Sequence, residues 1–358
     1  MHNTYIAIMA GGVGSRFWPG SREDNPKQFL DILGVGKSLI QLTFERFLKL
    51  VPANRIFIVT HKKYREKVLE HLPALSNNQI LCEPSRNNTA PSVAYTAFKL
   101  QNLNPDANFV IAPSDHIILK EEAFLNKIRT ALAFTAQNNA LLTLGIQPTR
   151  PDTGYGYINF EKSDTEVKKV KSFKEKPDME TAKKYLQSGD YLWNAGIFIW
   201  KASAILASFK KNAPEIYDIL EQGNSFYNTP NEQNFIDEYY PKTTKISVDF
   251  AIMEKADNIF TIPADIGWSD LGTWASLHAE LSDSNPEKNV IHAENIRLQN
   301  TTECLIRLPK NKLAVIKGLH NYIVVDEGDV LLIYPKDDEQ EIKSVRQELE
   351  KAKLGKYL

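Results

Sequence analysis

Three glycines and several cations near the amino terminus give this sequence its strongest chemical signal. Gly11, Gly12 and Gly14 follow the apolar run 5–9, which predicts a buried strand. Glycine lets the backbone turn sharply, so that successive N–H groups can approach an anion without a Cβ in the way. We call residues 10–30 the glycine-rich loop and predict that it holds a triphosphate. Its side chains able to bind phosphate are Ser15, Arg16, Arg22 and Lys27.

Two other phosphate-binding motifs are excluded by residue type. A dinucleotide fingerprint starting at Gly12 would need glycine where Phe17 stands. Residues 34–38 resemble the end of a P-loop, but Asp31 occupies the position of its first glycine. This second stretch is predicted to be a turn, followed by a helix with a capping box of Ser38 and Gln41. The alternative for the glycine-rich loop itself is a glycine turn with a solvated cationic surface.

Strands and helices alternate through the first half of the chain. Apolar strands separated by amphipathic helices predict an α/β fold with a mostly parallel sheet covered on both faces. Ligands in such folds bind beyond the carboxyl ends of the strands. Polar segments begin at Ala10, Glu83, Pro113 and Gly145, each after a predicted strand, which predicts one shared cleft. Beyond Pro286 the sequence becomes rich in short β runs and ends in a charged helix.

Two of these segments suggest binding chemistry, and each has a structural alternative. Asn88 and Thr89 stand at a predicted helix start, where they either cap the helix or bind an anion or a base. Asp115 follows a strand directly, where it either caps a helix or binds Mg²⁺, which prefers oxygen ligands. His116 is interpreted as a positioning or packing group without a catalytic role.

Composition restricts the class of protein. The chain has 358 residues, 42% of them hydrophobic and 24% charged, with a net charge of −1. These values predict a globular protein of about two domains, without a global field for nucleic acid or anionic membranes. No apolar run approaches the ~18 residues of a spanning helix, and no signal peptide is recognised. Cys82 and Cys304 are predicted to be reduced packing residues, which suggests a cytoplasmic protein.

The order of the motifs resembles a known family. G-G-x-G-S-R-F-W-P followed by P-K-Q-F-L is similar to the signature of sugar nucleotidyltransferases and, within that family, of mannose-1-phosphate guanylyltransferases. The resemblance extends from Ile6 to about Ile333. It implies a Rossmann-like nucleotidyltransferase domain over residues 1–285 and a small β-rich, β-helix-like C-terminal domain with a closing helix over residues 286–358.

Further motifs carry the resemblance into the implied sugar site. T-G-Y-G-Y at residues 153–157, E-K-P at 175–177 and W-N-x-G-x-F at 193–198 resemble its entry, its phosphate site and its sugar-binding turn. The alternatives are a glycine-flanked β-bulge, a solvated charged surface and a run of core aromatics. W-S-D-x-G-x-W at 268–274 resembles the family's second metal-ligand turn.

The resemblance implies a role for each matched residue. Nucleotide binding is expected from Ala10, Gly11, Gly12, Gly14, Ser15, Arg16, Asn88 and Thr89. Sugar-phosphate binding is expected from Gly154, Tyr155, Gly156, Glu175, Lys176, Asn194 and Asp249. The expected catalytic residues are Arg16, Lys27 and Lys176, and the expected Mg²⁺ ligands are Asp115 and Asp270.

The implied reaction is transfer of GMP from GTP to α-D-mannose 1-phosphate, which forms GDP-mannose and pyrophosphate. The attacking phosphate oxygen is already ionised at neutral pH, so no general base is required, and Mg²⁺ is the expected cofactor. Two alternatives stay open: transfer to another sugar phosphate or from another base, and a catalytically silent sensor of GDP-sugars. The retained charges of Arg16, Lys27, Asp115 and Asp270 argue against the sensor. The family often uses its C-terminal region in dimer contacts, so a homodimer is an expectation, and the isomerase barrel fused to some relatives is expected to be absent.

Overall fold

The computed structural model describes residues 2–282 and 286–358, which form two compact units. The first unit contains Met1–Gly11, Thr43–Ser114 and Ile118–Trp268, and the second contains Gly12–Leu42, Asp115–Ile117 and Ser269–Leu358. The glycine-rich loop therefore groups with the C-terminal segment from residue 12 onward. The predicted domain boundary at Asn285 lies outside the described residues and stays a prediction.

The first unit is built on a mixed sheet. In chain order the strands of the protein are β1 Thr4–Met9, β2 Ile56–His61, β3 Ile80–Glu83, β4 Asn108–Pro113, β5 Ile117–Ile118, β6 Leu141–Ile146, β7 Tyr157–Phe160, β8 Lys168–Lys174, β9 Tyr191–Lys201, β10 Ile259–Pro263, β11 Trp268–Ser269, β12 Val290–His292, β13 Asn295–Gln299, β14 Leu305–Arg307, β15 Leu313–Lys317, β16 Tyr322–Asp326 and β17 Leu331–Pro335. Within the described residues, nine of them form one sheet in the order β3-β2-β1-β4-β9-β6-β10-β8-β7.

Most strands of this sheet run in the same direction, as the sequence predicts. The pairs β3–β2, β2–β1, β1–β4 and β6–β10 are parallel. Strands β8 and β9 run opposite to them. Strands β1, β2, β4 and β6 are buried over all but their last residue, which is the pattern of strands covered on both faces.

Helices supply those covering layers. Their bounds are α1 Leu39–Leu48, α2 Arg65–His71, α3 Thr89–Leu103, α4 Glu121–Gln137, α5 Met179–Ser188, α6 Ala202–Asn212, α7 Pro214–Glu221, α8 Glu232–Tyr239, α9 Trp274–Leu281 and α10 Ile342–Lys351. The main core joins α3 and α6 to the sheet through residues such as Val93, Ala97, Ile205 and Phe209. No helix among residues 2–282 and 286–358 is both long and apolar enough to cross a membrane.

One prediction of local structure is wrong. The segment 193–198, interpreted as a sugar-binding turn, lies inside the eleven-residue strand β9. Its partner register on β6 shifts between Thr143 and Gly145, and Gly196 has a φ of 67°. The segment is therefore an irregular strand, in which glycine supplies the conformation that a bulky residue resists.

The second unit contains the β-helix-like arrangement that the sequence predicts. β12, β14 and β16 stack in parallel, with Val290 opposite Leu305 and Leu305 opposite Ile323. β13 and β15 form a second parallel stack, and β17 closes the first one as an antiparallel edge. Phe17 and Trp274 pack into the same core as Leu305 and Ile323. The glycine-rich loop thus rests on the C-terminal coils.

Two further sequence predictions of local structure can be compared with the structure. Ser38 directly precedes α1, and its N–H donates to Gln41 Oε1 at 2.9 Å, which is one of the two bonds of the predicted capping box. Cys82 and Cys304 are free and buried.

Candidate active site

Several main-chain N–H groups of the glycine-rich loop have no hydrogen-bond acceptor among the described residues. Gly14 has a φ of 70° and is followed by a short 3₁₀ helix over Ser15–Phe17. A Cβ on Gly14 would lie 2.4 Å from Lys27 Cβ, so only glycine fits here. Within the described part of the chain, no acceptor bonds the main-chain N–H groups of Gly12, Gly14, Ser15 and Arg16 in this loop. Such a run of oriented N–H groups is an anion-binding arrangement.

Lys27 joins the two aspartates that the resemblance pairs. Its side chain is 4% exposed, and its Nζ donates to Asp115 Oδ2 at 3.0 Å and to the carbonyl oxygen of Asp270 at 2.8 Å. Asp115 and Asp270 are 155 residues apart in sequence, as 270 minus 115 gives, so their proximity could not be derived from spacing. The structure therefore brings together three of the predicted site residues around one ammonium group.

The charges of this cluster favour ionised Asp115. Burial would raise the pKa of Asp115, but Lys27 and His116 outweigh that effect and hold the pKa below its ordinary value. A carboxylate that is ionised at neutral pH can bind a cation.

The oxygens around the Lys27 ammonium are also of the type that a hard divalent cation binds. The ammonium of Lys27 bonds one carboxylate oxygen of Asp115 and the main-chain carbonyl oxygen of Asp270, and so stands in for such a cation. Mg²⁺ in phosphoryl-transfer sites usually takes one or two carboxylates together with substrate phosphates and water. Among residues 2–282 and 286–358, no group of three or more His, Cys, Asp and Glu residues could hold a metal alone. A cation at Asp115 and Asp270 would therefore need oxygens from the substrate.

Arg22, one of the loop side chains able to bind phosphate, is paired with a carboxylate in the structure. Its guanidinium makes two hydrogen bonds to Asp329, Nη1 to Oδ2 at 2.8 Å and Nη2 to Oδ1 at 2.5 Å. Nε donates to the carbonyl oxygen of Pro19 at 3.1 Å. All three nitrogens are occupied, whereas Arg16 is exposed on the 3₁₀ helix.

The first two positions of the loop belong to the first unit and differ in role. The N–H of Ala10 donates to the carbonyl oxygen of Val59 at 2.8 Å, and its own carbonyl accepts from Thr60. Ala10 thus anchors the loop to the sheet, and its N–H is not available to phosphate. Gly11 is the first residue after this anchor, and a Cβ on it would lie 3.8 Å from Glu83 Oε2.

Glu83 is a buried carboxyl group that the resemblance does not single out. Its Oε1 accepts short hydrogen bonds from the hydroxyls of Ser92 and Tyr240. Burial raises the pKa of Glu83, although both hydroxyls oppose that shift. Oε2 faces Gly11 instead. The hydroxyl oxygen of Ser85, two residues further along, is buried without a partner among the described residues.

Asn88 and Thr89 are both engaged in structural contacts. The side chain of Asn88 accepts from the N–H of Thr89 at 2.8 Å, so the capping alternative describes this residue. Thr89 Oγ1 accepts from the N–H of Val248 at 2.9 Å. Asn88 nevertheless has a φ of 68° and a ψ of −169°, a conformation that costs energy in any residue except glycine. The segment is held in a strained shape by the contacts around it.

A second cluster in the first unit unites most residues predicted to bind the sugar phosphate. Asn194 Nδ2 donates to Asp249 Oδ1 at 3.0 Å, and the N–H of Asn194 donates to the carbonyl oxygen of Gly156 at 2.8 Å. Lys176 Nζ lies 2.7 Å from Glu175 Oε1. A Cβ on Gly156 would approach Glu175 Oε2 to 2.4 Å, so glycine lets this carboxylate approach the backbone. Lys176 has a φ of 44°, which is uncommon for a side chain of this type.

Asp249 has the most perturbed carboxyl group of this cluster. Burial, followed by the charge of Glu175, raises the pKa of Asp249 to about 7. Lys176 and the hydrogen bond from Asn194 oppose the shift without cancelling it. Asp249 therefore changes charge in the neutral range, where a sugar phosphate is a dianion.

The other two predicted sugar-site residues have local roles. Gly154 is exposed, and its N–H donates to Asp152 Oδ1 at 2.8 Å, as in an Asx turn. The ring of Tyr155 meets those of Trp193 and Trp268 edge to face, with centroids 5.0 and 5.3 Å away. These contacts place Tyr155 in an aromatic cluster, beside the buried indole N–H of Trp193, which has no acceptor among the described residues.

Sequence reasoning missed Glu254. Its Oε1 accepts from the N–H of Glu175 at 2.9 Å, so it positions the residue next to Lys176. Glu254 and Asp249 meet the same cluster because residues Asp249–Met253 form a π-helix, in which the N–H of Glu254 bonds to the carbonyl oxygen of Asp249. The wider turn places residues five apart on one face. A pattern search at helical spacing of three or four would not find this pair.

Comparison with known proteins identifies related chains. A sequence profile described as "Nucleotidyl transferase" matches residues 6–285. The chain is 38% identical to a mannose-1-phosphate guanylyltransferase of Salmonella muenchen over 344 residues, which are 94% of this chain and 72% of the relative. It is 35% identical to a mannose-1-phosphate guanylyltransferase of Escherichia coli K12 over 357 residues, or 96% of this chain and 73% of the relative.

A solved structure agrees in fold. The crystal structure described as a mannose-1-phosphate geranyltransferase from Thermus thermophilus superposes with a TM-score of 0.88 at 30% identity, covering 97% of this chain and 99% of that one. The agreement includes the mixed α/β sheet and the C-terminal strands.

Proposed function

The chain belongs to the nucleotidyl transferase family, and we propose that it transfers GMP from GTP to α-D-mannose 1-phosphate, with release of pyrophosphate. The observation that carries the proposal is the meeting of Lys27, Asp115 and Asp270 beside a loop of unpaired N–H groups. Lys27 and the N–H groups supply the positive charge that transfer of a nucleotidyl group from a triphosphate requires, and the two aspartates would bind the metal ion. The relatives described as mannose-1-phosphate guanylyltransferases supply the substrate class.

Triphosphate binding is assigned to the glycine-rich loop. The N–H groups of Gly11, Gly12, Gly14 and Ser15 and the exposed guanidinium of Arg16 would hold the phosphate oxygens. Lys27 would neutralise charge on the α-phosphate or on the departing pyrophosphate. No general base is required, because the attacking oxygen of the sugar phosphate is ionised already, so positioning and charge neutralisation carry the rate.

Base recognition is assigned to the segment from Glu83 to Thr89. A carboxylate accepts from the N1–H and N2–H₂ groups of guanine, whereas adenine presents an unprotonated N1 at the same edge. Glu83 Oε2 faces the start of the loop, and Ser85 carries a buried hydroxyl without a partner among the described residues. Asn88 and Thr89 would shape this segment through their contacts and their strained backbone.

Sugar-phosphate binding is assigned to the cluster of Glu175, Lys176, Asn194 and Asp249. Lys176 would neutralise the phosphate, and the carboxyl and amide groups would bond sugar hydroxyls. Gly156 gives Glu175 its position, and Gly154 and Tyr155 would border the entry.

Asp115 and Asp270 would hold Mg²⁺ together with phosphate oxygens of the substrate. When bound, the ion would neutralise phosphate charge and favour departure of pyrophosphate. The protein's own contribution is the ionised Asp115, whose pKa Lys27 and His116 keep low despite burial.

Pyrophosphate release tests the proposal. The protein is incubated with Mg²⁺, mannose 1-phosphate and each of GTP, ATP, UTP and dTTP, beside Asp270→Asn. We expect release with GTP, and a loss of about 10²–10³-fold in the variant, by analogy with the loss of one oxyanion donor. Release with another nucleotide would overturn the base assignment alone. GDP-mannose binding without release would instead support a silent sensor.

Compartment and assembly are part of the same proposal. Two buried free thiols are compatible with the reducing cytoplasm, where we place the reaction. A homodimer, which the resemblance implies, would be detected by sedimentation velocity of the purified protein.

A further inference from the structure

We propose that Arg22 and Asp329 form a positioning clamp, which holds the glycine-rich loop in its triphosphate-binding conformation. The inference rests on the proposed function, because it assigns the loop the triphosphate of GTP. In this proposal, the C-terminal coils help to hold the nucleotide-binding loop in place. All residues involved belong to the second unit.

All three nitrogens of the Arg22 guanidinium donate hydrogen bonds in the clamp. Two parallel N–H donors meet the two carboxylate oxygens of Asp329 at 2.8 and 2.5 Å, and the third nitrogen fixes the carbonyl oxygen of Pro19. This bidentate pairing fixes direction as well as distance, which a lysine could not do. The side chain of Arg22 is 15% exposed and that of Asp329 is 49% exposed.

Hydrogen bonds connect Arg22 to the unpaired N–H groups. Its own N–H and carbonyl oxygen are bonded to Asn25, at 3.1 and 3.2 Å. The hydroxyl of the preceding residue, Ser21, donates to the carbonyl oxygen of Val13. The N–H of Lys27 reaches the same oxygen at 3.3 Å. Val13 lies between Gly12 and Gly14, so a shift of Arg22 would be transmitted to their N–H groups through two hydrogen bonds.

Asp329 is anchored in a tight hairpin. It follows Gly328, which has a φ of 90° and donates its N–H to Asp326 Oδ1 at 2.8 Å. The N–H of Glu327 closes the turn on Val330 at 3.0 Å. Strands β16 and β17 continue from this turn in regular antiparallel register. The carboxylate is therefore presented by a rigid element, and a glycine-rich segment is held against it.

A clamp and an ordinary surface ion pair predict different measurements. An exposed pair contributes little to folding stability, so neither account predicts a large change in melting temperature. Only the clamp predicts that its loss raises KM for GTP while KM for mannose 1-phosphate stays the same. If the competent loop conformation falls to about one tenth of the population, the apparent dissociation constant for GTP rises about ten-fold.

The test compares wild type with Asp329→Ala, Arg22→Ala, the double variant and Arg22→Lys. We expect KM for GTP to rise about ten-fold in each single variant, with no further rise in the double variant because the two residues act as a unit. Arg22→Lys should have a KM for GTP close to that of Arg22→Ala, because lysine cannot form the bidentate pair. Glu294→Ala is the matched control, since it removes an exposed partner of Lys310 at 3.7 Å in the same unit. Its KM values should not change.

Hydrogen exchange separates the clamp from the proposed reaction. In the protein without nucleotide, the hydrogen-bonded amides of the loop, those of Phe17, Ser21, Arg22 and Lys27, should exchange about ten-fold faster in Asp329→Ala than in wild type or Glu294→Ala. Unchanged exchange and unchanged KM for GTP would overturn the clamp even if the protein makes GDP-mannose. Faster exchange in a protein that uses no GTP would retain the clamp and overturn the proposed function. If Asp329→Ala fails to fold, Asp329→Asn replaces it, because it removes the charge and keeps the size.

Discussion

Replacing Lys27 with methionine should weaken catalysis and at the same time strengthen the binding of Mg²⁺ to the nucleotide-free protein. The ammonium bonds Asp115 Oδ2, which would hold the metal, and the main-chain carbonyl oxygen of Asp270. Methionine retains most of the buried stem and removes the charge. Catalysis loses a neutralising group, while the metal no longer competes with a cation for the carboxylate of Asp115.

The magnitude follows from the distance between the charges. At 3.0 Å and an effective dielectric constant of about 20, the attraction between Lys27 and Asp115 is about 5–6 kcal/mol before desolvation is subtracted. Lys27 is almost fully buried and Asp115 is 31% exposed, so desolvation removes much of that value. We expect a net loss of about 1–3 kcal/mol in unfolding free energy, Mg²⁺ affinity about ten-fold higher, and kcat lower by about 10²–10³-fold.

The pH dependence of this stability loss has a defined sign. Lys27 and His116 hold the pKa of Asp115 below its unfolded value, against the effect of burial. The stabilisation is therefore fully present above the unfolded pKa and is lost as the pH falls through the folded pKa. Wild type and Lys27→Met should differ in stability at neutral pH and converge in acid.

The assays are thermal unfolding with and without Mg²⁺, calorimetric Mg²⁺ titration and steady-state turnover. Lys127→Met is the control for charge removal, because Lys127 makes a partly exposed pair with Glu166 at 2.7 Å. A variant that binds Mg²⁺ no better than wild type would refute the idea that Lys27 stands in for the metal. A variant that retains wild-type kcat would refute its role in charge neutralisation.

Three further predictions concern the other clusters. Glu83→Gln should lower kcat/KM for GTP about ten-fold or more and leave KM for mannose 1-phosphate unchanged, because an amide cannot accept from both guanine donors. If wild type and variant have the same kcat/KM in a GTP titration, Glu83 has no role in base recognition. Gly156→Ala should raise KM for mannose 1-phosphate about ten-fold, because its Cβ would meet Glu175 Oε2 at 2.4 Å. Gly355→Ala is the control, because its Cβ has open space and its backbone, like that of Gly156, has no positive φ. KM for mannose 1-phosphate should rise as the pH passes about 7, because burial and the charge of Glu175 raise the pKa of Asp249 to about 7 and the carboxylate formed above that pH repels the phosphate. Asp249→Asn should show no such step, and a KM that falls with pH would identify the carboxylate as the binding form.

The order of strands and helices could be predicted because each element has a local cause. The strands β1, β2, β3, β4 and β6 are apolar runs of four to six residues that end in polar loops. Helix α3 begins at Thr89, at the helix start predicted from Asn88 and Thr89. Hydrophobic period and capping residues are properties of a short window, so one sequence suffices to recognise them. Residues 193–198 of the irregular strand β9 are predicted to be a turn because Asn194 and Gly196 are equally typical of a turn.

The candidate site could be predicted only in part, because its partners come from distant positions. The resemblance pairs Asp115 with Asp270, but nothing in the sequence indicates that Lys27 lies between them. Glu254 joins the sugar cluster through a π-helix, whose spacing of five is absent from the usual helical patterns. Each of these contacts depends on the folded chain.

Arg22 and Lys27 show why residue type alone cannot assign a role in the glycine-rich loop. Both are cations five positions apart, and each is able to bind phosphate. The fold pairs Arg22 with a carboxylate 307 residues away, and it pairs Lys27 with Asp115 at the end of a strand. Arg22 stabilises the loop because its donors are taken by Asp329 and by the carbonyl oxygen of Pro19, whereas Lys27 is held by a carboxylate that would bind Mg²⁺ and would release the ammonium when Mg²⁺ and triphosphate bind. The division between support and chemistry is therefore set by the tertiary partners, so that loss of the carboxylate beside Arg22 should act on KM for GTP and loss of the carboxylate beside Lys27 should act on kcat.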